Sequence, residues 1–173
     1  AGVNPCAEEP LPAGGSCLLG SINLSEFVTS PFTEFAVFDK IKFKKCVRDC
    51  VVGLNEVLEE GLPLHPLEQQ RESVSKYRQI GLGVMGIADM LIKLNIRYGS
   101  DEAVKLCEEL SNLMLNEAIK QSSLLAKETS PSNWTSLESY KIINLSNLKV
   151  PARLIASWAT PSCKHPSPHN TYV

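Results

Sequence analysis

"NPCAEEPLPAGGSCLLGSINLSEF", residues 4–27, decides how the rest of the chain is read. Its first fourteen residues hold two cysteines, two acids, three prolines and two adjacent glycines. No helical or strand period runs through them. Asn4, Cys6 and Glu8 alternate, so on an extended segment their side chains point to one face. An amide that donates and accepts, a thiol capable of nucleophilic or one-electron chemistry, and a proton-accepting carboxylate then meet one ligand. Pro5, Pro10 and Pro12 stiffen the segment, and Gly14 and Gly15 permit a sharp reversal. That reversal brings Cys17 back toward the same face. The plainer reading is a surface loop with two incidental cysteines, and spacing by itself neither chooses between the two nor names a reaction.

Working outward, residues 17–28, "CLLGSINLSEFV", carry a short apolar run suited to a buried strand, ended by "TSPF". A helix is expected over 39–60, with Ile41, Val47, Cys50, Val51, Leu54, Val57 and Leu58 near one stripe. Asp39 caps its start and Gly61 suits the left-handed position after its end. Cys46 and Cys50 on this helix read as small core-facing residues. His65, between two prolines, reads as a loop residue, and a charged, helix-like segment follows it. A second long helix is expected over 101–127, capped by Ser100, with acids in its first turn. Its stripe is Leu106, Leu110, Leu113, Met114, Ile119, Leu124 and Leu125, and Cys107 needs no chemical role there. The chain is thus helix-rich α/β. Its few short strands have no hairpin partner and look built to pair with something else. From residue 129 the sequence changes to a divergent, irregular tail, rich in Pro, Ser and His toward its end.

Bulk properties bound the function. A chain of 173 residues suffices for one domain with a core. Hydrophobic content of 43% and charged content of 21% are those of an ordinary globular protein. A net charge of -2 draws the molecule to neither nucleic acid nor an anionic membrane. Apolar runs are far shorter than the roughly 20 residues a spanning helix needs. The start, "AGVNPCAEEP", lacks the regions of a signal peptide and an initiator Met, so the chain reads as a fragment of a cytoplasmic protein. Six cysteines without a C-x-x-C pair fit reduced thiols, among which a disulfide is catalytic rather than structural.

Two further patterns invite a functional reading. "GLGVMG", Gly81–Gly86, matches G-x-G-x-x-G, but that match carries meaning only as a strand–turn–helix unit. The strand before it is barely "YRQI", and no second β-α-β unit follows, so a tight packing segment leading into a helix from Ile87 is expected. Cys163, His165 and His169 fall short of the four ligands of a closed zinc site, so no metal is assigned to them.

The opening stretch closely resembles the catalytic loop of the large (α) subunit of ribonucleotide reductase. "YRQIGLGVMGIADMLIKLNIRYGSDEA" resembles a second block of that family, in the right order, and the resemblance covers residues 1–128. It implies a fragment of a ten-stranded α/β barrel, with an active-site loop at 1–17, that reduces ribonucleotides to 2′-deoxyribonucleotides for DNA synthesis. It implies that Cys6 becomes a thiyl radical and takes the 3′ hydrogen of the ribose. Glu8 is then the base for the 3′-hydroxyl, Asn4 the amide that holds the substrate hydroxyls, and Cys17 one of two redox cysteines that end as a disulfide. Thioredoxin or glutaredoxin follows as reductant, since that disulfide is re-reduced by exchange. Glu8 with Cys17 points to the aerobic or the adenosylcobalamin-dependent class. Either adenosylcobalamin or a diiron or dimanganese small subunit then supplies the radical, none of it bound by this segment.

The resemblance also implies that the partner of Cys17 and the allosteric sites lie upstream of residue 1, and that the full-length protein is a homodimer. A phosphate-binding loop is expected near 150–165, where "VPARLIASWATPSCKHPSPH" stands instead. Its strands would be left with unpaired edges. The isolated chain is therefore expected to be inactive. The alternative is a non-catalytic helical interaction module derived from the same fold.

Overall fold

A computed structural model of the chain describes residues 2–3, 10–11 and 13–128. Asn4, Cys6, Glu8 and the whole segment 129–173 lie outside the described residues. Two short strands come first, β1 (Gly2–Val3) and β2 (Pro10–Leu11), paired antiparallel with Val3 opposite Pro10. β3 (Leu18–Asn23) follows and runs into a 3-10 turn over Leu24–Phe27. A small hairpin, β4 (Val28–Thr29) and β5 (Val37–Phe38), leads to α1 (Lys40–Gly61). Then come α2 (Glu68–Tyr77), β6 (Ile80–Met85), α3 (Ile87–Lys93) and α4 (Asp101–Glu128). This is helix-rich α/β, and no closed barrel forms among the described residues.

The expected strand at the start of the chain is β3, and its partner is the apparent nucleotide motif. β3 and β6 pair in parallel, from Leu18 opposite Ile80 to Asn23 opposite Met85. The expected strand, read as built to pair with something else, thus pairs with a stretch expected to be a tight packing segment, through a long crossover containing α1 and α2. Gly81 and Gly83 lie inside β6 rather than in a loop after it. A Cβ on Gly81 would stand 2.5 Å from Leu19 Cδ2, so the bare backbone allows that close approach. Gly86 takes a left-handed conformation, φ 71°, as the N-cap of α3. A Cβ there would overlap Asn23 Oδ1, which itself accepts from Ser25 N at 3.2 Å to cap the 3-10 turn.

The core lies under this strand pair. Phe27, Phe38 and Phe43 form a ring cluster with centroids 5.3–5.8 Å apart. The two contacts to Phe43 are edge-to-face, an arrangement that adds to the area the rings bury. Around them pack Ile22, Leu82, Met90, Leu91 and the α1 residues Val47 and Val51. The α1 stripe runs Phe43, Val47, Val51, Leu58, at four- and seven-residue steps. Ile41 and Val57, expected in it, are 82% and 54% exposed, because they stand off the line that faces the sheet. Asp39 caps α1 as expected, accepting from Lys42 N at 2.9 Å. Gly61 differs from expectation: it stays right-handed, φ -76°, because the chain tightens into a 3-10 turn over Leu62–Leu64.

α4 lies along α1. Ser100 Oγ accepts from Ala103 N at 3.2 Å, the expected cap. Ala103, Leu110, Met114 and Ala118 supply its buried face, whereas Leu124, expected in the stripe, is 48% exposed. Between Met114 and Ala118 sits a buried carboxylate, Glu117, held by Arg48 Nη1 at 2.6 Å and Lys120 Nζ at 3.1 Å. Burial pushes its pKa up, but the bonds from Lys120 and Arg48 outweigh that and hold it below the ordinary carboxylate range. Such a charge is tolerated inside only because it is paired. The small hairpin was not expected from sequence. Its connecting turn uses non-glycine residues in left-handed conformations, Ser30 (φ 48°) and Phe32 (φ 64°), and Phe32 N donates to Lys93 O at 2.8 Å.

Two substitutions separate these effects. Gly86→Ala lowers stability by about 2 kcal/mol through strain and loss of the Asn23 cap. Gly53→Ala, on a helix surface with no neighbouring atom within 4 Å, raises it by about 0.5–1 kcal/mol. Urea midpoints of the full chain check both, and an unchanged midpoint for Gly86→Ala contradicts the close approach of α3 to β3.

Glu117→Gln costs about 1–2 kcal/mol at neutral pH, discounted because Arg48 and Lys120 are partly in water. With a depressed folded pKa, the stabilisation by Glu117 is complete above its unfolded value and fades as pH falls through its folded value. Urea unfolding at pH 7 therefore shows the deficit, and at pH 3 the deficit shrinks. An equal deficit at both pH values removes the charge from the explanation.

Candidate active site

Of the four expected site residues, Cys17 is the one within the described residues; Asn4, Cys6 and Glu8 are not. The ends of the segment that holds those three are fixed by the β1–β2 pairing of Val3 with Pro10. From Leu11 the chain turns at Gly14, whose φ of 70° is the left-handed conformation expected of a reversal. The turn is pressed against α2. A Cβ on Gly14 would stand 2.9 Å from both Cγ and the backbone oxygen of Gln69, so no larger residue fits.

Cys17 then enters at the head of β3, half-buried. Its Sγ lies against the bare backbone of the neighbouring strand: a Cβ on Gly81 would be 3.4 Å from that sulfur. The thiol also donates weakly to Leu18 O at 3.7 Å. Because the pairing is parallel, Cys17 sits at the N-terminal edge of the strand pair, one step before Leu18 and Ile80. The start of β6 is fixed in turn by Arg78, left-handed at φ 45°, whose N–H caps α2 at Val74 O, 2.9 Å. Its guanidinium bonds Asn55 Oδ1 at 2.6 Å and pairs with Glu59, both on α1. Gln69 and Arg78 are positioning residues that sequence reading did not single out, whereas Gly81 belongs to the stretch expected to pack tightly. The signal available was an Arg between a charged helix and a glycine-rich run.

The other thiols among the described residues stand apart from this edge. Cys46 and Cys50 lie on α1, packed against the core as expected, and Cys107 lies on α4. Burial first, then the neighbouring Cys46, pushes the Cys50 thiol up to about 11. It is protonated at neutral pH and a poor nucleophile. The glycine motif at 81–86 offers no phosphate cradle, since two of its glycines are strand residues and the helix after it has seven residues. Cys163, His165 and His169 lie outside the described residues. Among the described residues no three His, Cys, Asp or Glu side chains gather into a metal site, and no helix is long and apolar enough to cross a membrane. Chemically, the arrangement holds one thiol at the edge of a rigid strand pair, next to a tightly turned loop. A thiol so placed can exchange with a second sulfur and carry a disulfide.

Comparison with known proteins assigns the surroundings. Residues 1–159 match the family model of the ribonucleotide reductase barrel domain, so the match extends past Glu128 into the segment that differs in composition. The chain is 41% identical over 128 residues to a vitamin B12-dependent ribonucleoside-diphosphate reductase of Thermoplasma acidophilum, covering 73% of the chain and 16% of that protein. It is 38% identical over 112 residues to the α subunit of a ribonucleoside-diphosphate reductase of Chlamydia pneumoniae, covering 65% of the chain and 10% of that subunit. A vitamin B12-dependent ribonucleoside-diphosphate reductase of Mycobacterium tuberculosis is 34% identical over 126 residues, covering 73% of the chain and 17% of that protein. The chain thus spans about a sixth or less of the length of these relatives.

Proposed function

The chain belongs to the ribonucleotide reductase barrel-domain family, and from that premise we propose that it is part of the catalytic subunit of a cytoplasmic enzyme reducing ribonucleotides to 2′-deoxyribonucleotides. The observation that supports this most is Cys17, held at the edge of the β3–β6 pair, on the same short segment as Asn4, Cys6 and Glu8.

In this reading Cys6, as a thiyl radical, takes the 3′ hydrogen atom of the ribose and becomes a thiol, leaving the radical on C3′. Glu8 accepts the 3′-hydroxyl proton, Asn4 holds the hydroxyls through its amide, and the 2′-hydroxyl leaves as water once protonated. Cys17 and a second thiol elsewhere in the longer protein supply two electrons and two protons and join as a disulfide. Glu8 returns its proton to the 3′ oxygen, and the 3′ hydrogen returns from Cys6, which regenerates its radical. An external dithiol protein of the thioredoxin or glutaredoxin class reopens the disulfide by exchange. The named relatives include both B12-dependent reductases and an α subunit. In this reading adenosylcobalamin, or a diiron or dimanganese small subunit, would supply the radical, and no described residue is assigned to holding either. The surrounding architecture is a ten-stranded α/β barrel to which β3 and β6 contribute two neighbouring parallel strands, assembled as a homodimer. This 173-residue chain without the rest of the barrel does not turn over.

In the full-length protein, Cys6→Ser abolishes deoxynucleotide formation while leaving the unfolding transition in place. Cys17→Ser supports at most one incomplete turnover. Product formation with thioredoxin and its reductase checks both. Undiminished turnover by Cys6→Ser removes it from the chemistry, and sustained turnover by Cys17→Ser removes the redox role.

A further inference from the structure

α1 carries two thiols that the proposed reaction does not use. Cys46 and Cys50 stand one helical turn apart on the flank of the Phe43–Val47–Val51 stripe, both half-buried. Their sulfurs are 4.0 Å apart. A metal–thiolate bond is about 2.3 Å, so one ion bound to both sulfurs needs them about 3.8 Å apart at a tetrahedral angle and about 4.6 Å apart when linear. The pair already stands inside that window. A disulfide would require about 2.05 Å, and with it a large movement of side chains that a packed helix face resists. Thiolates select soft ions. No third His, Cys, Asp or Glu gathers with the pair among the described residues, so a four-ligand zinc site is not built there. Asp49, next to Cys50, is drawn to Lys45 at 2.8 Å.

We propose that Cys46 and Cys50 form a two-thiolate site on one helix face for a soft monovalent cation of the copper(I) class. On binding, each thiol releases its proton to solvent and each sulfur donates a lone pair to the ion; nothing is oxidised or reduced. Both sulfur-bearing residues are half-buried rather than sealed in the core. The site is independent of the reaction assigned to Cys6 and Cys17, so its failure leaves that reading untouched.

The test uses the full chain, reduced and anaerobic, titrated with copper(I) against a chromophoric copper(I) chelator, then alkylated and mapped by peptide mass spectrometry. One equivalent is expected to protect Cys46 and Cys50 together. Cys46→Ser and Cys50→Ser are each expected to weaken binding at this site about 100-fold. Equal alkylation of both residues with and without copper(I), or protection confined to other cysteines, overturns the proposal. So does protection of Cys50 at parental affinity in Cys46→Ser. Mapping on the unsubstituted chain decides the matter even if a serine variant fails to fold.

Discussion

The described structure depends on the parallel pairing of Leu18–Asn23 with Ile80–Met85. The two segments are far apart in sequence, and closing so long a loop costs entropy that local structure cannot return. The compensation is burial. α1, inside the crossover, buries Phe43, Val47 and Val51 in one core with the strand pair, and α4 packs along α1. Two glycines let the layers meet. Gly81 admits Leu19 and the Cys17 sulfur, and Gly86 admits the Asn23 side chain. Close packing of this kind tolerates little change in volume.

The same pairing sets where Cys17 sits. A thiol on a free loop samples many positions, and a reaction that needs it at one place loses rate with each. Cys17 is restrained on three sides: by the strand it begins, by the Gly81 backbone, and by the turn at Gly14 pressed on Gln69. Arg78, tied to Asn55 and Glu59, transmits the position of α1 to the start of β6. Helices that carry no expected catalytic group therefore serve the site by holding its edge in place.

What could be read from the sequence follows the range of the interactions. Asp39 and Ser100 were legible as caps because capping is settled within a few residues. So were the hearts of the stripes, at Val47, Val51, Leu110 and Met114. Ile41, Val57 and Leu124 obey the same period yet lie exposed, since which edge of a stripe is covered depends on the partner element. β6 was harder. Its glycines have weak strand propensity, and its strand character comes from β3, far upstream. Glu117 hides within an apolar stripe, and the approach of Arg48 across α1 and α4, together with Lys120 on its own helix, makes its burial tolerable. Of the candidate site, the paired glycines gave the reversal at Gly14, and the family resemblance named Cys17. The close packing at Gly81 was legible from its glycines, whereas the positioning roles of Gln69 and Arg78 are products of tertiary contact.

The most direct measurement is chemical. The full-length protein, given a single charge of reducing equivalents and no external dithiol, is allowed one round of substrate conversion, quenched with a thiol-alkylating agent, and mapped by mass spectrometry. A redox role for Cys17 requires it to appear in a disulfide, in proportion to the deoxynucleotide formed. Deoxynucleotide formed while Cys17 is recovered as the alkylated thiol would contradict it.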